Sequence, residues 1–214
     1  MAEQLMEQTA HNPGLAPYRR SPLAHLAGAI EAGAVAGERG VALREIPFLT
    51  MVGLRAGPGS AAAAALEAAA GVALPARVGQ VTGEAGGTAV LWLGPDEYLL
   101  VAPEGTGAAA LAAALGDEPG AVVDLSANRT TLELTGPSAR LVLEKGCPAD
   151  LHPRVFGPGS AITTVLGAVP VLLWQTGEQA YRILPRASFA DYTARWLLDA
   201  MTEFSAEFQE PGAP

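Results

Sequence analysis

The sequence predicts an α+β protein built from two related halves, each running β-α-β-β-α-β. Three observations lead to this. Apolar runs of five to nine residues, rich in Val, Leu, Ile and Tyr, alternate with Ala/Leu stretches of helical length. Gly or Pro punctuates most junctions between them. The order strand, helix, hairpin, helix, strand then recurs along the chain.

The first half opens with VALREI (41–46) and FLTMVGLRA (48–56), split by Pro47. The second run alternates and reads as a strand. GPGS (57–60) stops it, and Ser60 is placed to cap a helix whose Ala run and Leu66 favour that state. Gly71 sits where a helix C-cap belongs. TAVLWLG (88–94) and EYLLVA (97–102) flank Pro95-Asp96 and read as a hairpin. An Ala/Leu helix at about 107–115 ends at Gly116, and AVVDLS (121–126) is the closing strand.

The second half begins with the alternating strand RTTLELT (129–135). PSARLVLEK (137–145) is a helix with Pro137 at its first position and Gly146 beyond its end. AITTV (161–165), VPVLLWQ (169–175) and YRILP (181–185) read as strands. The last helix is announced by Ser188 and Asp191 in a capping spacing. Phe189, Tyr192, Trp196, Leu197, Ala200, Met201 and Phe204 recur at three- and four-residue steps and predict its core face. Each half thus has the ferredoxin-like element order. Residues 1–22 read as a mobile arm, 23–204 as a single domain with halves at about 41–127 and 128–204, and 205–214 as an acidic tail.

Composition limits the function classes. The 214 residues carry 13 Lys+Arg against 22 Asp+Glu, a net charge of −9. That balance opposes nucleic-acid binding, which rests on cations at phosphates. The longest apolar stretch, 160–174, is too short to span a bilayer and is broken by Gly167 and Pro170. No basic, apolar leader begins the chain, and the single cysteine forms no internal disulfide, so a cytoplasmic location is expected. The charge is uneven: residues 129–195 hold seven basic and five acidic groups.

No Walker loop, dinucleotide fingerprint or nucleophile elbow occurs. Cys147, Asp150 and His152 lack the doublets of a zinc site, so no metal site is assigned. Cys147 follows a helix C-terminus, whose negative partial charge disfavours a thiolate. Asp124, Ser126, Asn128 and Arg129 form the densest polar cluster, where one half hands over to the other. Asp124, Ser126 and Arg129 are candidates for holding an amine or a pterin-like ring; strand-end turn chemistry accounts for the same residues. No catalytic residue is assigned.

Several strings carry a resemblance. WLGPDEYLL (92–100), VVDLSANRTTLELTGPSARLVLEKGCPADLHP (122–153), FGPGSAITT (156–164) and YRILPRASFADYTARWL (181–197) resemble the gamma subunit of heterotetrameric sarcosine oxidase. The resemblance implies a fold like the folate-binding domain of the aminomethyltransferase of glycine cleavage. It implies an assembly with alpha, beta and delta chains that oxidatively demethylates sarcosine to glycine. The products are hydrogen peroxide and a one-carbon unit that can pass to tetrahydrofolate. FAD, FMN, NAD, tetrahydrofolate and zinc are expected on the other chains, and an accessory, non-catalytic role in assembly and stability on this one. The alpha chain is the expected main contact, with no nucleic acid and no membrane. Arg129, Arg140, Arg154, Trp174 and Arg186 are interface candidates, as Arg and Trp are enriched at such surfaces; Trp196 is better explained as core. The alternatives are a folate- or pterin-binding or degenerate aminomethyltransferase-like protein, and, least supported by the acidic charge, a tRNA-modification domain.

Overall fold

The apolar runs pair into two five-stranded, fully antiparallel sheets in the computed structural model, which describes residues 18–205. The strands are β1 (Ala42–Glu45), β2 (Thr50–Ala56), β3 (Val81–Gly83), β4 (Ala89–Gly94), β5 (Glu97–Ala102), β6 (Gly120–Asp124), β7 (Leu132–Thr135), β8 (Ser160–Leu166), β9 (Val169–Gly177) and β10 (Ala180–Pro185). The helices are α1 (Ala27–Ala32), α2 (Ala61–Ala70), α3 (Ala108–Leu115), α4 (Ala139–Glu144) and α5 (Ala190–Met201). The first sheet runs β3-β4-β5-β2-β6 and the second β8-β9-β10-β7-β1. Strand for strand the two orders correspond.

One strand breaks the sequence order. β1 closes the second sheet, pairing Ala42 with Thr135 and Glu45 with Leu132 on β7. The halves drawn at 127/128 therefore misplace residues 41–46. Alternation in a four-residue strand says which side is apolar, not which sheet it joins. Pro47 and Phe48 turn the chain from one sheet to the other, with Phe48 in the left-handed region at φ 59°.

Most local signals are met where they were expected. Ser60 Oγ accepts from Ala63 N at 3.1 Å, and Gly71, at φ 67°, ends α2. Ser188 makes no cap bond, because it lies inside a 3-10 turn, Ala187–Phe189, that precedes α5. Of the expected arm, residues 1–17 lie outside the described residues, as does 206–214 of the tail. Within 18–22, Arg19 pairs with Glu104 and stacks 4.2 Å from the Phe48 ring centroid, and Ser21 Oγ donates to Glu45 at 2.5 Å.

Helices cover the outer face of each sheet. Leu66 and Leu111 pack on Val52, Leu54 and Leu100 of the first sheet. Val142 and Leu197 pack on Leu134, Leu173 and Ile183 of the second. The inner faces meet through Met51, Leu91, Leu99 and Val101 on one side and Leu172, Trp174 and Leu184 on the other. Edge strands β3 and β8 are stitched by Val81 N to Gly159 O at 2.9 Å and Ala161 N to Gly79 O at 2.8 Å. The result is four layers, α/β/β/α.

A charged row crosses the second sheet. Arg44, Glu133, Arg182 and Trp174 stand opposite one another on β1, β7, β10 and β9. Glu133 pairs with Arg44, and Arg182 lies over the Trp174 ring at 5.2 Å. Arg182 Nε is 3.5 Å from Glu133 Oε1, near enough for attraction but outside hydrogen-bond geometry. Burial lowers the Arg182 pKa, and the Glu133 charge opposes that shift. Glu133→Ala is expected to cost about 3 kcal/mol, because it strands a buried guanidinium. Replacing Glu133 and Arg182 together by Leu and Met is expected to restore most of that loss, as urea unfolding followed by circular dichroism will show.

Candidate functional site

The polar cluster between the halves is two separate structures. At the end of β6, Asp124 Oδ1 accepts from Ser126 N at 2.9 Å and from Ser126 Oγ at 2.6 Å. Met51 N donates to Ser126 Oγ at 3.1 Å, which ties the turn to a core residue of β2. Asp124 and Ser126 are thus engaged in an Asx-type turn. Arg129 is directed elsewhere: its Nη1 donates to Leu184 O at 2.9 Å. The trio does not converge on a common ligand position.

Arg129 meets another candidate instead. Thr130 N donates to Pro185 O at 3.2 Å and Ala187 N to Asn128 O at 2.9 Å, so Arg129 and Arg186 face each other across an antiparallel bridge. Arg129 is half-buried and Arg186 exposed. Burial lowers the Arg129 pKa, and the like charge of Arg186 lowers it further. Among the described residues neither arginine has a carboxylate within ion-pair distance.

The remaining candidates scatter. Arg140 is engaged by Glu144, four residues on, at 2.6 Å. Arg154 is exposed, and its N donates to His152 Nδ1 at 3.2 Å. Trp174 is 2% exposed in the layer between the sheets, which corrects its assignment to an interface. Leu172 and Leu173 before it are equally apolar, so nothing local told the two sheet faces apart. Trp196 is half-buried; a side chain on Gly146 would meet its ring at 2.4 Å, so that glycine leaves room for it. Cys147 is buried, with Sγ 3.7 Å from Thr164 Oγ1, while Asp150 accepts from His152 N in a turn of its own. No three His, Cys, Asp or Glu side chains gather as a metal site among the described residues.

Two aromatics expected in the core are on the surface. Phe189 and Tyr192 are 41% and 46% exposed. The buried stripe of α5 is Ala190, Thr193, Ala194, Leu197, Ala200 and Met201, which keeps the expected Leu197, Ala200 and Met201 but puts Ala190, Thr193 and Ala194 where the first-turn aromatics were expected. Small residues face the sheet there, a pattern that ranking by hydrophobicity misses.

Exposed ion pairs lie along α5 and just beyond its end. Asp191 accepts from Arg195 Nε at 2.8 Å and lies 2.7 Å from His25 Nε2. Lys145 Nζ reaches Glu203 at 2.8 Å. The Arg195 hydrogen bond, then that of His25, holds the Asp191 carboxyl below its ordinary value of 3.8, and the Lys145 hydrogen bond holds Glu203 below 4.5. Depressed carboxylate pKa values stabilise the fold above the ordinary values, and that contribution is lost as pH falls through the folded ones. An Asp191→Asn, Glu203→Gln variant is therefore expected to melt below the parent at pH 7. The gap should shrink as pH drops below 4.5 and 3.8. Thermal melts across that range measure it.

The chain is a paired ferredoxin-like sandwich of two antiparallel sheets covered by helices. The glycine cleavage system aminomethyltransferase T from Bartonella henselae shares the fold, with a TM-score of 0.59 at 20% identity over 83% of this chain and 56% of that one. The model of the sarcosine oxidase, gamma subunit family matches residues 54–203. The sarcosine oxidase subunit gamma of Corynebacterium sp. (strain U-96) is 65% identical over 189 residues, 88% of this chain and 92% of that protein. The corresponding subunit from Arthrobacter sp. is 62% identical over 189 residues, again 88% and 92% of the two chains. A chain in the solved heterotetrameric sarcosine oxidase from Corynebacterium sp. U-96, in complex with pyrrole 2-carboxylate, superposes with a TM-score of 0.87 at 63% identity. That match covers 90% of this chain and 100% of that one. The chain belongs to the sarcosine oxidase gamma subunit family.

Proposed function

We propose that this chain is the accessory, non-catalytic subunit of a heterotetrameric sarcosine oxidase, acting in assembly and stability of the complex. One observation carries the reading: the match to a chain of such an oxidase runs the whole length of that chain at 63% identity. The complex would convert sarcosine to glycine and hydrogen peroxide, releasing a one-carbon unit that folate can accept. FAD, FMN, NAD, tetrahydrofolate and zinc would reside on the other chains and supply the redox chemistry there. The alpha chain would be the main contact, alongside beta and delta, in the cytoplasm. No helix among the described residues is long and apolar enough to cross a membrane.

The second reading is a folate or pterin binder, or a degenerate aminomethyltransferase. Its support is the shared fold, and a fold does not import an activity. Its candidate residues fit poorly: one oxygen of Asp124 closes a turn, and Arg129 is committed to the Leu184 carbonyl. Calorimetric titration of the isolated chain with tetrahydrofolate separates the two readings, since binding heat favours this one.

Sarcosine-dependent peroxide production, from coexpressed alpha, beta and delta chains with and without this one, tests the first reading. Omission is expected to remove most of the activity or the retained flavin. A three-chain complex that is intact and fully active without it would contradict an assembly role.

A further inference from the structure

Cations that are not fully exposed need a counter-charge, because their desolvation is otherwise uncompensated. Among the described residues the arginines that are buried or half-buried are Arg129, Arg140 and Arg182. Arg140 has Glu144 and Arg182 has Glu133. Arg129 has a backbone carbonyl and, directly opposite, a second arginine. Like charges facing each other across paired strands are unfavourable. Its bond to Leu184 O holds the Arg129 guanidinium against the protein. In a chain of net charge −9, acids are in excess, yet none of the described ones is supplied at this point.

Exposed rings follow Arg186 along the chain, and Phe189 N donates to Arg186 O at 2.9 Å. Phe189 and Tyr192 follow Arg186 at three-residue steps and are exposed. Tyr192 Oη and Trp196 Nε1 both come up to Gly167, where an added side chain would meet each at 3.3 Å. Arginine beside tyrosine and tryptophan is the composition of binding hot spots. We propose that Arg129, Arg186, Phe189 and Tyr192 form the face on which a different subunit of the oxidase seats a carboxylate flanked by apolar side chains. A second copy of this chain fits worse. A two-fold contact centred here would set arginine against arginine, between chains that each carry −9. This assignment rests on the accessory-subunit reading.

The test uses the coexpressed alpha, beta and delta chains, with purified gamma chain added back. Arg129→Glu with Arg186→Glu is expected to weaken binding by about 30-fold or more, as loss of a desolvated charge pair does. Phe189→Ser with Tyr192→Ser is expected to weaken it by about tenfold or more without touching the core. Arg77→Glu, an exposed arginine on the other half, is expected to bind as wild type. Circular dichroism melts of each free variant confirm folding; if the charge reversal unfolds the chain, the aromatic pair decides. Wild-type binding by both patch variants overturns this face alone. So does a patch effect seen only in self-association of the isolated chain. Failure of the wild-type chain to bind the three-chain assembly overturns the accessory reading and this face together.

Discussion

The apolar layer between the two sheets joins the halves and places the surface around them. Met51, Leu91, Leu99 and Val101 meet Leu172, Trp174 and Leu184 there, each nearly inaccessible to water. Full burial of side chains this size contributes about 1.5–3 kcal/mol apiece. Because both faces of each sheet are covered, β4, β5 and β9 read as near-continuous apolar runs rather than alternating ones. Neither half could leave its inner face in water, and β1 binds them further by starting the chain in the second sheet. The same layer positions the rim. Ser126 is held by the backbone of Met51, and Arg129 by the carbonyl of Leu184, both members of that layer.

What could be seen in the sequence was local. The hairpin around Pro95-Asp96 and the Ser60 and Gly71 caps depend on residues within a few positions of one another. β1 was legible as an apolar run but not as a member of the second sheet, since its partner β7 lies far along the chain. β3 left no signal: Val81–Gly83 is three residues long and ends in glycine. Trp174 and the pair Phe189 and Tyr192 were misjudged in opposite directions. Large aromatics rank as core or as interface on chemistry alone, and only the packing of strands and helices chooses between the two.

The candidate site divides in the same way. Asp124 and Ser126 carry the spacing of an Asx-type turn, and that is what they make. Arg129 and Arg186 were each picked out as interface candidates; that they face one another was not visible, because the bridge joining them is a product of the tertiary fold. Their conjunction with exposed rings turns a scatter of surface arginines into a defined face. Membership of the gamma subunit family then gives that face a context, since the solved relative is one chain of a heterotetramer.

Oxidative footprinting of side chains, in the assembled oxidase and in the free chain, reads out whether this face is covered on assembly. Phe189 and Tyr192 are predicted to lose most of their reactivity on assembly, while Val78, which is 78% exposed on the other half, retains its own. Undiminished reactivity of Phe189 and Tyr192 in an intact four-chain complex would contradict the account.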